Sequence, residues 1–198
     1  LMDIYDLKNY DFKNYKYSKK ALENLKKVKK LSNITRLISI ILVIFPFIKY
    51  LKTDNFSYVI LIFLILILAR FIEYKKYTNI KLSLSKESLE DFHDFIYYFY
   101  CKKRSKATHN MHLLDLIYCN FERKKYDIVL KLLDSLDMTS PLLQNRRFLY
   151  YYYYAKSYEE LGLIEKSKEY LLLLNDLVKR NGLSKEAAKI RGIKIIIE

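Results

Sequence analysis

Two apolar stretches decide the fold, TRLISIILVIFPFIKY at residues 35–50 and FSYVILIFLILILARFI at residues 56–72. Their lengths lie at the lower edge of what a helix needs to cross a lipid bilayer. The second stretch carries no charged residue between Asn55 and Arg70. Burying two helices that are apolar on every side would require a larger soluble core than the remaining residues can build. The sequence therefore predicts a transmembrane hairpin with spans at about 35–50 and 56–72.

The residues at the ends of these stretches suit a membrane interface. Arg36 and Arg70 each lie near one end of a span, where a long side chain can reach the lipid headgroups. The aromatic residues expected at the interfaces are Tyr50, Tyr58 and Tyr74. Pro46 predicts a kink near the far end of the first span. The late start of that span and the lack of a small-residue cleavage site argue against a cleaved signal peptide.

The cations that flank the spans predict their orientation. The chain has 36 Lys and Arg against 22 Asp and Glu, a net charge of +14, and many of the cations adjoin the spans. The connecting loop, in contrast, carries only Lys49 and Lys52 against Asp54. The positive-inside rule then predicts a multi-pass protein of the cytoplasmic (inner) membrane, with both termini in the cytoplasm and the short loop outside.

Residues 1–31 form a basic N-terminal segment, in which about Ser18 to Leu31 is predicted to be a helix that leads into the first span. Each lysine near an anionic leaflet contributes on the order of 1 kcal/mol to membrane attraction. The candidate membrane-surface cluster consists of Lys19, Lys20, Lys26, Lys27, Lys29 and Lys30. A solvated flank without a binding role explains the same lysines. Binding to anionic lipid headgroups is therefore one of two open alternatives.

Amphipathic helices replace the apolar stretches from Leu84 onward. Ser85 is predicted to cap a helix over about 85–101, which the basic run KKRSK at 102–106 ends. Further helices are predicted at about 109–123, 126–137, 142–161, 164–180 and 184–196. Their breaks fall at Lys124–Lys125, Thr139–Ser140–Pro141, Gly162 and Asn181–Gly182. Because short connections make antiparallel hairpins, the predicted fold class is all-α, with a transmembrane hairpin at 32–75 and a cytoplasmic helical domain at 76–198.

Two helix pairs between residues 110 and 180 share one register at an offset of 38 residues. In the first pair the register is Leu113, Leu116, Ile117, Asn120, Tyr126, Val129, Leu133 and Leu136, and in the second it is Tyr151, Tyr154, Ala155, Tyr158, Ile164, Ser167, Leu171 and Leu174. This spacing resembles the tetratricopeptide (TPR) helical hairpin, with Gly162 at the turn of the second copy. The sequence departs from that family at Lys124 and Val129, and in its period of 38 rather than 34. An unrelated helical bundle is the alternative.

The TPR resemblance implies a concave groove, lined by the first helix of each pair, that takes a peptide or a partner helix. The candidate groove residues are Met111, Leu114, Tyr118, Phe121, Leu149, Tyr152, Lys156 and Glu159. Aromatic rings on such a face can anchor a partner. Alternatively, these side chains pack against the 85–101 helix or against the membrane face. The run Tyr150–Tyr154 covers every side of a helix, so some of its rings must be core and others must face water or a partner.

Residues suited to catalysis are scarce. His109 and His112 lie three residues apart, and Asp115 and Cys119 continue roughly the same helical face, but no HExxH context accompanies them. The sequence has no Walker, GxGxxG or GxSxG pattern. Cys101 and Cys119 form no CxxC pair and are expected to stay reduced in the cytoplasm. The sequence therefore predicts a protein that is not an enzyme and that has no cofactor and no metal.

The leading functional hypothesis is a bacterial membrane-tethered adaptor or accessory subunit. It would bind a protein or peptide partner, expected to be another membrane component, because tethering raises the effective concentration of such partners. A second hypothesis, by analogy of composition, is an immunity protein that protects the membrane against a peptide toxin. A third is a nucleic-acid tether using the basic N-terminal segment and residues 102–106. An AT-rich bias in composition accounts for part of the lysine excess, which argues against nucleic acid.

Overall fold

The computed structural model describes residues 15–102, 105–139 and 146–180. Within these ranges the chain has seven helices and no strand, which confirms the predicted all-α class. The helices are α1 (Lys19–Thr53), α2 (Ser57–Glu87), α3 (Leu89–Tyr100), α4 (Lys106–Glu122), α5 (Tyr126–Asp134), α6 (Arg147–Glu160) and α7 (Ile164–Arg180). The described residues belong to two compact units, one formed by Lys16–Ile96 and the other by Tyr15 together with 97–180.

Helix α1 joins the basic segment and the first apolar stretch into one continuous helix of 35 residues. Ser18 caps its first turn, because the Ser18 side-chain oxygen accepts the Ala21 backbone N–H at 3.2 Å. The Ser18 N–H in turn donates to the buried carboxylate of Asp94 at 2.7 Å. An acidic group from α3 therefore lies at the positive end of the α1 dipole, where it stabilises the start of the helix.

Helices α1 and α2 form a hairpin and pack against each other. Only Asp54–Phe56 connects them, and Asp54 adopts a left-handed backbone (φ 49°) as its N–H donates to the Tyr50 carbonyl at 2.8 Å. Thr35 and Ser39 are buried on α1, and small side chains of this kind allow two helices to approach closely. The Ser39 hydroxyl donates to the Thr35 carbonyl at 2.7 Å, so this buried polar group is satisfied within its own helix.

The apolar side chains of this hairpin are largely uncovered by protein. In the most apolar 18-residue window of each helix, 17% of α1 and none of α2 is buried. Ile41, Phe45, Phe63 and Leu68 each expose between 59% and 64% of their surface. A core helix of a soluble protein would bury such residues. Both helices are long and apolar enough to cross a membrane.

Helix α2 extends further than the sequence predicted, so the predicted cap at Ser85 is wrong. The Ser85 hydroxyl donates to the Leu82 carbonyl at 2.9 Å within the helix. Ser88 takes the capping role, because its hydroxyl oxygen accepts the Asp91 N–H at 3.2 Å. The extended backbone of Ser88 (φ −156°, ψ 116°) separates α2 from α3. Lys and Glu, the residue types between the two serines, favour helix, which explains why α2 continues past Ser85.

The remaining helices follow the predicted breaks, with shifts at their ends. Ser105 caps α4 by accepting the Thr108 N–H at 3.4 Å, so α4 begins three residues before the predicted start at 109. Helix α5 ends at Asp134 rather than at 137, and α7 has the predicted bounds. The predicted helix at 184–196 and the first residues of the predicted 142–161 helix lie outside the described residues.

The turn between α4 and α5 recurs between α6 and α7 at the same offset of 38 residues. In each turn two successive N–H groups donate to carbonyls three and five positions earlier, which is the Schellman pattern. In the first turn the N–H of Lys124 donates to the Phe121 carbonyl (2.9 Å) and that of Lys125 to the Asn120 carbonyl (2.9 Å). In the second turn the N–H of Gly162 donates to the Glu159 carbonyl (3.0 Å) and that of Leu163 to the Tyr158 carbonyl (2.8 Å). Lys124 (φ 56°) and Gly162 (φ 75°) both occupy the left-handed region. The turn geometry therefore repeats with the same offset as the apolar register.

Substitutions at these two turns should change stability in opposite directions. Lys124→Gly removes the steric cost of a left-handed lysine and is expected to raise the free energy of unfolding by about 0.5–1 kcal/mol. Gly162→Ala is expected to lower it by about 1 kcal/mol. A Cβ added at Gly162 meets no atom within 4 Å, so the change tests backbone conformation alone. Thermal unfolding of the full-length protein in detergent, followed by circular dichroism, measures both shifts, and shifts of the same sign would contradict the shared turn.

Candidate functional site

The first helices of the two hairpins, α4 and α6, meet through aromatic rings. The ring of Phe121 in α4 lies 6.1 Å from that of Tyr152 and 5.0 Å from that of Tyr153 in α6, measured between centroids. Tyr126, at the start of α5, lies 5.6 Å from the same phenylalanine. Helix α6 also packs against α5. It therefore lies against both helices of the preceding hairpin.

The eight candidate groove residues differ in accessibility. Leu114 is only 7% exposed, so it contributes to the core and offers little surface to a partner. Tyr118 is the most accessible ring among them, with 39% of its surface exposed. Met111, Phe121, Leu149, Tyr152, Lys156 and Glu159 are half-buried. The structure brings Phe121 and Tyr152 together and leaves Tyr118 exposed on the same helix as Phe121.

The two charged residues of the candidate groove neutralise each other. Lys156 donates a hydrogen bond to the carboxylate of Glu159, one turn further along α6. A partly exposed pair of this kind contributes less than about 1 kcal/mol to stability, and its main effect here is the absence of net charge. Burial raises the pKa of Tyr152, although Lys156 acts in the opposite direction, so its hydroxyl is uncharged at neutral pH. This face offers aromatic rings and neutral hydroxyls beside the carboxylate of Glu122, and this combination suits an amphipathic segment.

The tyrosine run at residues 150–154 contacts three neighbouring helices. Tyr152 and Tyr153 face α4, whereas Tyr154 stacks on Tyr170 of α7 with centroids 4.4 Å apart and ring planes 9° apart. The Tyr154 hydroxyl donates to the carboxylate of Asp134 in α5. The sequence left open which of these rings are core. Their positions show that tyrosine forms much of the packing between α6 and its neighbours.

The predicted membrane-surface lysines all lie exposed on α1. Lys20 forms an ion pair with Glu87 on α2, and their hydrogen bond raises the pKa of the lysine and lowers that of the glutamate. A cleft of about 380 Å³ between α1 and α2 borders this pair, and Glu23, Lys27 and Lys76 also line it. Sequence reasoning missed the Glu87 contact, because 67 residues separate the two partners. The cluster therefore includes one lysine that a carboxylate already neutralises.

The histidines of α4 contact aromatic rings. His109 stacks on Tyr100 with centroids 4.6 Å apart, and His112 lies 5.9 Å from Phe99. Burial lowers the pKa of His109. Across residues 15–102, 105–139 and 146–180, no group of three or more His, Cys, Asp or Glu side chains is arranged to hold a metal. Neither Cys101 nor Cys119 forms a disulfide within the described residues, and burial raises the pKa of Cys101, which disfavours its thiolate at neutral pH.

No family model matches this chain, and no curated protein or solved structure matches it either. The functional interpretation therefore depends on the residues themselves: the uncovered apolar hairpin, the repeated turn and the aromatic face of α4 and α6.

Alkaline pH is expected to unfold the unit that contains residues 97–180. Burial raises the pKa of Tyr100 and of Tyr170 to about 12, above the ordinary value of 10.0. Because the folded pKa exceeds the unfolded one, the stability that these neutral hydroxyls provide is fully present below about pH 10 and is lost as the pH rises toward 12. Circular dichroism and tyrosine absorbance of the full-length protein in detergent should show joint helix loss and ionisation in that window.

A pair of variants checks the cause of this alkaline unfolding. Tyr170→Phe removes one hydroxyl whose pKa is raised by folding. The helix loss should therefore move to higher pH. Tyr74→Phe is the control, because Tyr74 is 67% exposed and lies on α2. An equal effect of both substitutions would contradict a role for the packed tyrosines.

Proposed function

We propose that this protein is a membrane-anchored adaptor or accessory subunit that binds a protein or peptide partner at the cytoplasmic face of the membrane. The hairpin of α1 and α2 is inserted in the bilayer with both termini in the cytoplasm. The helices α4–α7 form a TPR-like domain whose first helices bind the partner. The observation that carries this proposal is the aromatic face of α4 and α6, where Phe121 packs on Tyr152 and the ring of Tyr118, one turn before Phe121, is exposed.

The exposure of the hairpin supports membrane insertion. Lipid covers apolar side chains such as Phe45 and Phe63, which protein leaves more than half exposed. The helical conformation of both stretches also pairs the interior backbone groups within each helix without water, except at Pro46, which has no N–H to donate. The contrast between the lysine-rich start of α1 and the nearly neutral Asp54–Phe56 connection supports the cytoplasmic placement of both ends.

The repeated architecture supports a binding role for α4–α7. Helical repeats stack so that equivalent helices present one continuous face, and such faces commonly serve as binding surfaces. The recurrence of the Schellman turn at an offset of 38 residues supports the proposal that the two hairpins are equivalent units. Tyrosine is a frequent anchor at interfaces, because its ring buries apolar surface while its hydroxyl accepts or donates a hydrogen bond.

Removal of the exposed aromatic ring should weaken partner recovery. The full-length protein, solubilised gently from its native membrane, is purified and its bound proteins are identified by mass spectrometry. Tyr118→Ala is expected to lower the affinity for the recovered partner about 30-fold, as for an interface hot spot. Leu172→Ala is the control, because Leu172 is 70% exposed and lies on α7, which contributes no residue to the candidate groove. The same loss in both variants, or recovery of the protein alone, would count against the adaptor and favour the immunity hypothesis.

The proposed topology can be tested with cysteine labelling. Asn55→Cys places a thiol in the connection between α1 and α2, and Lys26→Cys places one on the exposed face of α1. A membrane-impermeant maleimide should label the first variant in intact cells and the second only after lysis. Cells with the unsubstituted protein are the background control, since Cys101 and Cys119 are expected on the protected side. Labelling of Lys26→Cys in intact cells would contradict the topology.

A further inference from the structure

We propose that the hairpin of α1 and α2 holds one anionic phospholipid, with the lipid phosphate bound by Arg36 and Arg70 and an acyl chain in the crevice beside them. The inference rests on the proposed membrane insertion, but it is independent of any protein partner.

The site is a crevice of about 240 Å³ between the two helices. Arg36, Arg70 and Glu73 lie at its charged end, and Ile40, Val43 and Leu66 form its apolar walls. The residues of α1 from Arg36 to Val43 span about 10 Å along the helix axis at 1.5 Å per residue. Because a single water occupies about 30 Å³, the crevice is several times larger than a site for one bound water. The crevice therefore has charged residues at one end and apolar walls along the rest of its length.

The charged end coincides with the boundary of the apolar stretches. Arg36 is the last charged residue of α1 before Lys49, and Arg70 is the first charged residue of α2 after the connection. The antiparallel hairpin brings these two arginines to the same end of the crevice. In an inserted hairpin this level is the interface between hydrocarbon and headgroups, where lipid phosphates lie.

The existing contacts leave a positive charge for a ligand to neutralise. One oxygen of the Glu73 carboxylate accepts a hydrogen bond from Arg70 Nη1 at 3.1 Å. The other oxygen accepts a hydrogen bond from the Ser32 hydroxyl at 3.1 Å. Arg36 makes no hydrogen bond or ion pair with the residues that the structure describes. Two arginines against one carboxylate give the site a net charge of about +1, which fits a phosphodiester. Both carboxylate oxygens of Glu73 already accept hydrogen bonds, so a lipid with a cationic headgroup gains less there than an anionic lipid.

The apolar end favours an acyl chain over water or free phosphate. The one buried hydroxyl there, that of Ser39, already donates to the Thr35 carbonyl. Ile40 is 61% exposed and Leu66 is 44% exposed, so both present apolar surface that protein does not cover. Burial of that surface by a lipid chain is favourable, and inorganic phosphate provides none of it. The two ends of the crevice together specify an anionic glycerophospholipid.

The test measures lipid binding to the full-length protein. The protein is stripped of lipid in detergent, mixed with phosphatidylglycerol or phosphatidylcholine, and analysed by native mass spectrometry. The expected result is one phosphatidylglycerol per chain, bound about tenfold more tightly than phosphatidylcholine. Arg36→Gln should lower the affinity for phosphatidylglycerol about tenfold, as expected for loss of a charge-assisted hydrogen bond. Equal binding of the two lipids would overturn the proposal.

Two further variants separate the parts of the site. Lys49→Gln removes one charge from the other end of α1 and should leave the lipid affinity unchanged. Val43→Phe fills the apolar end while keeping both arginines, and it should weaken phosphatidylglycerol binding. Equal losses with Arg36→Gln and Lys49→Gln would overturn the site, as would displacement of the lipid by inorganic phosphate at millimolar concentration.

Membrane extraction separates this inference from the functional proposal. Release of the protein from membranes by an alkaline wash would contradict the insertion on which both proposals depend. Retention in the membrane without a preference for phosphatidylglycerol would overturn the lipid site alone, and the Tyr118→Ala partner test would still stand.

Discussion

Among the described residues, most apolar side chains of the stretches 35–50 and 56–72 are not covered by protein, and the arrangement of the hairpin depends on that constraint. A segment that crosses a bilayer has to pair its backbone groups within itself, and both stretches have the continuous helical conformation that this requires. The three-residue connection then sets the two helices antiparallel. The resulting register brings Lys20 beside Glu87 and places Arg36 and Arg70 at one crevice. Contacts between residues far apart in the sequence thus follow from the register of the hairpin.

Tyrosine has a different role in the unit that contains α4–α7. This side chain fills space between helices while its hydroxyl remains able to hydrogen-bond, as the contact of Tyr154 with Asp134 shows. The stack of Tyr154 on Tyr170 joins α6 to α7, and the contact of Tyr153 with Phe121 joins α6 to α4. The five consecutive tyrosines therefore serve more than one interface. The same composition leaves the ring of Tyr118 at the surface of α4.

The sequence predicts the helices better than it predicts their contacts. Helix α7 has its predicted bounds, because Gly162 and the apolar spacing after it are local signals. The predicted cap at Ser85 is wrong, because Ser88 is an equally good capping residue and only the backbone conformation distinguishes the two serines. Leu114 was placed in the candidate groove by register alone, whereas the structure buries it. The pairing of Lys20 with Glu87 depends on the register of the whole hairpin, which no local pattern encodes.

The length of α1 has a mechanical consequence. At 1.5 Å per residue its 35 residues extend about 52 Å, whereas the hydrocarbon core of a bilayer is about 30 Å thick. About 20 Å of unbroken helix therefore lies beyond the hydrocarbon when the hairpin is inserted, and α2 runs beside it. A helix cannot shorten without breaking backbone hydrogen bonds, so in an inserted hairpin the helix length would fix the height of the basic end above the headgroups. Insertion of one helical turn into both helices would raise that height by about 5.4 Å.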